Sequence, residues 1–305
     1  MKTDAVTFAD LGASVLAVPP LARKADLTVN KEANAALVKH IEAGGVSTLL
    51  YGGNANFYNI GLYEYAAILD ELAEIAAPKT WVIPSVGPDF GKMLDQAALL
   101  RSRKFPTAMA LPMTFPMTPA GSVTGLRRFA EALGRPIIVY IKAEGYLTPE
   151  GVKTLVDSGA VAAIKYAIVR TDPLKDPFLS KLVDLVDRRY IVSGIGERPC
   201  ITHLRDFGLN GFTSGSVCVG PRGTTQILAA LKRQDYETAA KIRERYLPLE
   251  DCRDAYSPIR VLHEAIGLAG IADMGPILPL LTNLEPERHE EVKKVARALL
   301  AADRG

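Results

Sequence analysis

Two side chains in this sequence combine reactive chemistry with a suggestive position. Lys165 ends the apolar run Val161-Ala162-Ala163-Ile164, and Tyr140 lies near the end of Pro136-Ile137-Ile138-Val139. An amine flanked in this way is drawn out of water, and removing a charge from water lowers a lysine pKa. Bringing it from about 10.4 to about 7 takes roughly 4 to 5 kcal/mol. The neutral amine that results can attack a ketone carbon. The competing reading is a lysine that simply leaves the strand for solvent. Tyr140 precedes Lys165 by 25 residues, a gap that holds one strand, one helix and two loops, so both side chains can reach the same end of a parallel sheet. A phenol beside a protonated imine can pass a proton to or from substrate. Its alternative is a buried tyrosine with a satisfied hydroxyl.

The elements needed to position this pair recur along the chain. Eight short apolar runs read as strands: Ser14 to Val18, Ser47 to Tyr51, Trp81 to Pro84, Ala108 to Leu111, Ile137 to Ile141, Val161 to Lys165, Tyr190 to Ser193 and Gly211 to Ser214. Most are nearly continuous in apolar residues, as expected of strands covered on both faces. Amphipathic segments separate them: Leu62, Ala66, Leu69 and Ala73 share one helical face, and Val152, Leu155 and Val156 another. Thr148-Pro149-Glu150 is a helix-start signal, Asn30 reads as another start, and Gly44-Gly45 as the corresponding stop. Eight βα units predict an α/β fold, a (β/α)₈ barrel of the triosephosphate isomerase type, with the active site at the C-terminal strand ends. A doubly wound open sheet is the alternative, but no G-x-G-x-x-G follows an early strand. Beyond Lys232 only helical pattern continues, over Tyr236 to Tyr246, Asp251 to Ala269 and Glu287 to Ala302, with Val292, Val295 and Leu299 on one face of the last. The reading divides the chain into a barrel, 1–232, that carries the site and a helical appendage, 233–305, packed on it.

Composition narrows the function class. The 36 Lys and Arg nearly balance 34 Asp and Glu, with no basic stripe, so nucleic acid is not an expected partner. No apolar run reaches the length of a membrane span. The stretch Leu11 to Pro20 follows Asp4 and Asp10 in place of a positive region and closes on Pro19-Pro20, so it reads as a first strand and not a secretory leader. Cys200, Cys218 and Cys252 are odd in number and lack metal-ligand spacing, which favours a reducing cytoplasm. His40, His203, His263 and His289 fall on predicted helices without metal spacing, so no metal is expected.

The order Tyr140, then Ala162-Ala163-Ile164-Lys165, then Ser193-Gly194, then Gly211-Phe212-Thr213-Ser214-Gly215 resembles the dihydrodipicolinate synthase and N-acetylneuraminate lyase family. The resemblance extends over essentially the whole chain, including the helical tail, where Asp235 to Ala239 and Ser257-Pro258 fall where the family has similar text. It implies a homo-oligomer, tetramer or dimer, and a Schiff base between Lys165 and pyruvate or a related 2-oxo acid, with Tyr140 as acid/base. It implies no metal or organic cofactor. Gly52, Gly53, Asn54, Thr213 and Ser214 would cradle the substrate carboxylate.

The departures from the family pattern are as informative. Where the family usually carries Gly-Thr-Thr-Gly-Glu, this chain has Tyr51-Gly52-Gly53-Asn54-Ala55-Asn56-Phe57: Gly52 matches, but both hydroxyl positions are lost. Convergent N–H groups and the Asn54 amide can still hold an anion. Thr114 or Met113 stands where the synthases have a second tyrosine, and Lys142-Ala143-Glu144 follows the Tyr140 strand with no arginine for a second carboxylate. Glu144 and Lys142 read either as substrate contacts or as a solvated pair. Glu197 reads equally as a helix-start carboxylate or as a substrate-facing group. Tyr58 and Tyr146 are phenols that can replace a lost hydroxyl. Aldol cleavage and dehydration share the imine intermediate, and a barrel that binds a 2-oxo acid without turnover is the rival class.

Overall fold

The computed structural model describes residues 1–305. Eight parallel strands close into a barrel in sequence order: β1 (Leu16–Ala17), β2 (Thr48–Tyr51), β3 (Trp81–Val86), β4 (Met109–Ala110), β5 (Ile137–Ile141), β6 (Val161–Tyr166), β7 (Ile191–Ser193) and β8 (Gly211–Ser214). Leu16 of β1 lies opposite Thr213 of β8 and closes the ring. Every strand residue except Ala162 is buried, the physical reason these runs carry almost no polar alternation. In the β5–β6 pair Tyr140 stands directly opposite Lys165.

All eight expected strands are present, with altered ends. β1 and β4 shrink to two residues each, and Tyr190 belongs to the 3₁₀ turn Arg188–Tyr190 that precedes β7. Leu11 sits in a short helix, Phe8–Ala13, and not in the first strand. That helix is set by a capping box in which Thr7 and Asp10 each bond the other's backbone, a local signal stronger than the apolar run. Asn30 caps the helix Lys31–Ala43 and Thr148 caps Pro149–Asp157 as the sequence suggests. Gly44 ends the first of these, and Gly45 follows at φ +89, a conformation that disfavours side chains.

The helix Leu62–Ile75 presents a different face from the one expected. Tyr65, Ile68, Leu69 and Leu72 are buried, while Leu62 is exposed, because the larger side chains fill the groove against the barrel. In the tail, the single helix expected over Asp251 to Ala269 is two, Leu247–Ala255 and Pro258–Leu268. Pro258 lacks an N–H and its ring clashes with a preceding helical turn, so the chain restarts with Ser257 as cap. The last helix runs His289–Arg304 and buries Val292 and Leu299. Leu249, Leu262, Ile266 and Val292 of the tail belong to the same continuous core as Leu49 and Ile83 of the strands. The tail is therefore built into the barrel's packing.

Candidate active site

The C-terminal ends of the strands surround a cavity of about 270 Å³. Tyr140 reaches it from β5, Lys165 from β6 and Thr213 from β8, while Gly53, Asn54 and Tyr58 come from the loop after β2. The remaining wall is formed by the helical tail, through Glu250, Arg253, Asp254 and Ser257. Wider grooves lie beside Tyr63 and Leu280 and beside Phe90 and Met117, but neither contains a buried amine.

Lys165 is 5% exposed, and its Nζ lies 4.4 Å from the centre of the Tyr140 ring. Burial, reinforced by the charges of Lys142 and Arg253, lowers its pKa from 10.5 to about 7. No carboxylate pairs with it, so nothing holds the proton on. Gly194 makes the lysine's position possible: a Cβ there would stand 2.9 Å from Lys165 Cγ, 2.8 Å from Ala167 Cβ and 2.9 Å from the Tyr166 carbonyl oxygen. The next residue, Tyr166, points outward, and its hydroxyl donates to buried Asp176. Asp176 also accepts the Leu179 N–H at 2.9 Å, capping the helix Pro177–Leu185, and pairs with Arg170 at 3.1 Å.

Tyr140 is nine-tenths buried, and burial, followed by the nearby Tyr58, raises its phenol above the ordinary range. Tyr58 itself is pushed up to about 12 by burial. Both phenols therefore remain protonated at neutral pH and can donate. A Cβ at Gly53 would meet only Tyr58 Cε2, at 3.7 Å, so the tyrosine ring flanks the missing side chain. The Asn54 amide donates to Val18 O at 2.8 Å, which commits one of its protons. The turn is fixed by Asn56 and Phe57 N–H groups bonding Gly53 O at 2.9 Å and Gly52 O at 3.1 Å, while the Gly53 and Asn54 N–H groups have no acceptor in the chain. Gly52 is a packing residue outside the cavity wall: a Cβ there would lie 2.8 Å from Met109 Cε.

Several expected site residues are placed elsewhere. Ser214 follows Thr213 on β8 and faces the other way, donating to Glu197 and accepting the Val217 N–H at 2.9 Å. Glu197 is not a helix-start carboxylate, because the helix begins at Cys200 with Pro199 as its cap. It is fully buried behind the wall, where Thr224 also donates to it at 3.2 Å. Burial, then the charge of Glu250, holds its carboxyl well above the usual range. Thr114 is exposed and outside the cavity, and Glu144 is an exposed partner of Arg170 at 2.5 Å. Lys142 does border the cavity. The four histidines bond Val219 O, Ser193 Oγ, Gly275 O and Leu284 O respectively, in chain order.

The model of the dihydrodipicolinate synthetase family matches residues 13–299. The chain belongs to that family. Among curated members, the 4-hydroxy-tetrahydrodipicolinate synthase of Pseudomonas aeruginosa is 25% identical over 269 residues, which cover 85% of this chain and 88% of the relative. The synthase of Ectopseudomonas mendocina is 27% identical over the same length and coverage. The fold recurs in dihydrodipicolinate synthase from Bacillus clausii, at TM-score 0.84 and 22% identity, covering 98% of this chain and 100% of that one. It recurs equally in the sialic acid aldolase of Ruminococcus gnavus, at TM-score 0.83 and 15% identity over 96% and 99%. A prophage protein of the family from E. coli K12, solved in complex with pyruvate, gives 0.83 and 21% over 94% and 98%. No helix of this family member is long and apolar enough to cross a membrane.

Within this family frame, the tail residues Glu250, Arg253, Asp254 and Ser257 are the part of the cavity that sequence reasoning missed. The only local signal was Ser257-Pro258, which breaks the tail helix and turns this segment toward the mouth. Which polar residues of a long amphipathic tail face a distant barrel is decided by tertiary packing.

Proposed function

We propose that the protein is a Schiff-base lyase that acts on pyruvate or a related 2-oxo acid through an imine on Lys165. The observation that carries this reading is the buried, unpaired lysine, with a pKa near 7, facing Tyr140 in an enclosed cavity. At neutral pH about half of such amines are unprotonated and nucleophilic. The amine adds to the C2 carbonyl carbon. The carbinolamine then loses its oxygen as water after gaining a proton, leaving a protonated imine. That cation accepts the electron pair released when a bond at the neighbouring carbon breaks, so aldol cleavage and dehydration are both open to it, with no metal or organic cofactor needed. Tyr140, protonated and adjacent, is the group we assign to deliver and recover the proton.

The substrate carboxylate fits the free N–H groups of Gly53 and Asn54, with Thr213 supplying a hydroxyl from β8. Ser214, Thr114, Glu144 and Glu197 are left out of direct substrate contact by their placement. A homo-oligomer, dimer or tetramer, forms part of the same reading.

The test is incubation with pyruvate, reduction by borohydride and peptide mapping by mass spectrometry. An N-(1-carboxyethyl) adduct on Lys165 is expected, and an adduct on another lysine, or none with any of several 2-oxo acids, overturns the reading. Turnover on a panel of hydroxylated 2-oxo acids separates a lyase from a barrel that only binds: an adduct without turnover favours the binder.

A further inference from the structure

Two buried charged groups on the cavity wall are left unused by imine chemistry. Arg253 is 9% exposed and Glu250 4%, and both are carried by the helix Leu247–Ala255. Arg253 Nη1 donates to Glu250 Oε1 at 2.7 Å and its Nε to Pro258 O at 3.2 Å, while Nη2 has no acceptor in the chain. Glu250 Oε1 accepts from Arg253 and from the Ser216 hydroxyl, leaving Oε2 without a donor. The buried pair thus keeps one free donor and one free acceptor at a cavity it borders.

The backbone makes room for these groups at two glycines. A Cβ at Gly215, after β8, would stand 2.8 Å from Arg253 Nη2 and 2.9 Å from its Cζ, so the guanidinium lies flat where no side chain fits. A Cβ at Gly196, after β7, would stand 2.9 Å from Glu250 Oε2, and its φ of +81 independently disfavours any other residue.

We propose that Arg253 and Glu250 form a specificity subsite that binds hydroxyl groups on the substrate carbons remote from the ketone. The inference rests on the 2-oxo acid reading above and names the substrate class, a hydroxylated 2-oxo acid. A hydroxyl is both donor and acceptor, so one hydroxyl, or two on adjacent carbons, satisfies Nη2 and Oε2 together. A second carboxylate is a poorer match: it would gain Arg253 but face Glu250 Oε2, with Asp254 also on the wall. The pair belongs to the tail and not to the strands, so it can select substrate without altering the imine-forming group.

The test uses ligands that have no ketone and so cannot form an imine. Gluconate carries a carboxylate and a hydroxylated tail, adipate has a carboxylate at each end of a similar length, and lactate ends before the pair. Calorimetric titration of the intact protein at neutral pH is expected to give gluconate the tightest binding of the three. Arg253→Lys and Glu250→Gln should each lower the gluconate-to-lactate affinity ratio roughly tenfold to hundredfold, the effect of one hydrogen bond to a charged group. A preference for adipate, an unchanged ratio in both variants, or no gluconate binding to the unmodified protein overturns the proposal. Equal loss for gluconate and lactate does so too, since it marks a structural role. Melting curves check that each variant folds, and Glu250→Gln, which keeps shape and volume, decides alone if Arg253→Lys does not. If borohydride traps no 2-oxo acid while the gluconate ratio responds as expected, the Lys165 reading fails and this subsite stands.

Discussion

Replacing Lys165 with methionine should make the protein more stable, and by an amount that depends on pH. In the folded protein the lysine titrates near 7, against 10.5 when exposed. Between those values the unfolded chain binds more protons than the native one, so stability rises with pH across this window. Below pH 7 both states are protonated and the native state carries the full penalty, about 5 kcal/mol for a shift of this size. The same linkage leaves about 4 kcal/mol at pH 7 and about 1 kcal/mol at pH 9.5. Methionine is close in length, has no charge and packs favourably against an aromatic ring such as Tyr140. Equilibrium urea unfolding followed by circular dichroism is the assay. Lys165→Met should exceed the unmodified protein by up to about 4 kcal/mol at pH 7, with the gap narrowing at pH 9.5. A variant that is less stable at pH 7, or equally stabilised at both pH values, refutes the claim that Lys165 is strained by burial of its charge.

Three further outcomes are expected. Tyr140→Phe keeps borohydride trapping but loses about 10² to 10⁴ in turnover on the true substrate, the usual contribution of a proton shuttle, and unimpaired turnover removes Tyr140 from the mechanism. Gly194→Ala places a methyl 2.9 Å from both Lys165 Cγ and the Tyr166 carbonyl oxygen, the second of which cannot swing aside. We expect a loss of about 1 to 3 kcal/mol in stability and at least about tenfold slower trapping, and trapping at the original rate shows that the lysine does not need that room. Condensation of pyruvate with aspartate semialdehyde, followed by a coupled reductase, should stay well below about 10⁴ M⁻¹s⁻¹ in kcat/KM. Gly53 has no hydroxyl, Thr114 lies outside the cavity and Lys142 cannot reproduce a bidentate arginine, so a value at or above that range would contradict the reading.

The barrel was legible because strands buried on both faces must be apolar almost throughout, and eight such runs separated by helical text leave few alternatives. Lys165 was legible for the same reason: a charge at the end of an apolar strand is conspicuous. The motif Gly211-Phe212-Thr213-Ser214-Gly215 pairs Ser214 with Thr213, but only Thr213 lines the cavity. Consecutive strand residues point to opposite faces, so Thr213 and Ser214 cannot both enter the cavity. Helix phase is not fixed by small apolar residues alone: the face of Leu62–Ile75 depends on whether Tyr65 counts as core, which its ring settles by filling space. For Arg253 and Glu250 the sequence offers only the helix break at Ser257-Pro258. They lie far beyond the last strand, on a helix whose approach to the mouth is fixed by packing between distant segments.

The link from Tyr166 to Asp176 bears on how freely the Lys165 amine can wander. Lysine has four rotatable side-chain bonds, and the entropy lost when they freeze is part of the barrier to forming any covalent bond at its tip. In this barrel the backbone immediately after the lysine is tethered on its outer side to a buried carboxylate, which also holds the start of the neighbouring helix. The root of the side chain is thus anchored from a layer that substrate never touches. If Lys165 is the imine former, a change at Asp176 is expected to reach the amine as looseness and not as altered polarity, since burial, Lys142 and Arg253, and not Asp176, set its charge, which gives the site a mechanical control separate from its electrostatic one.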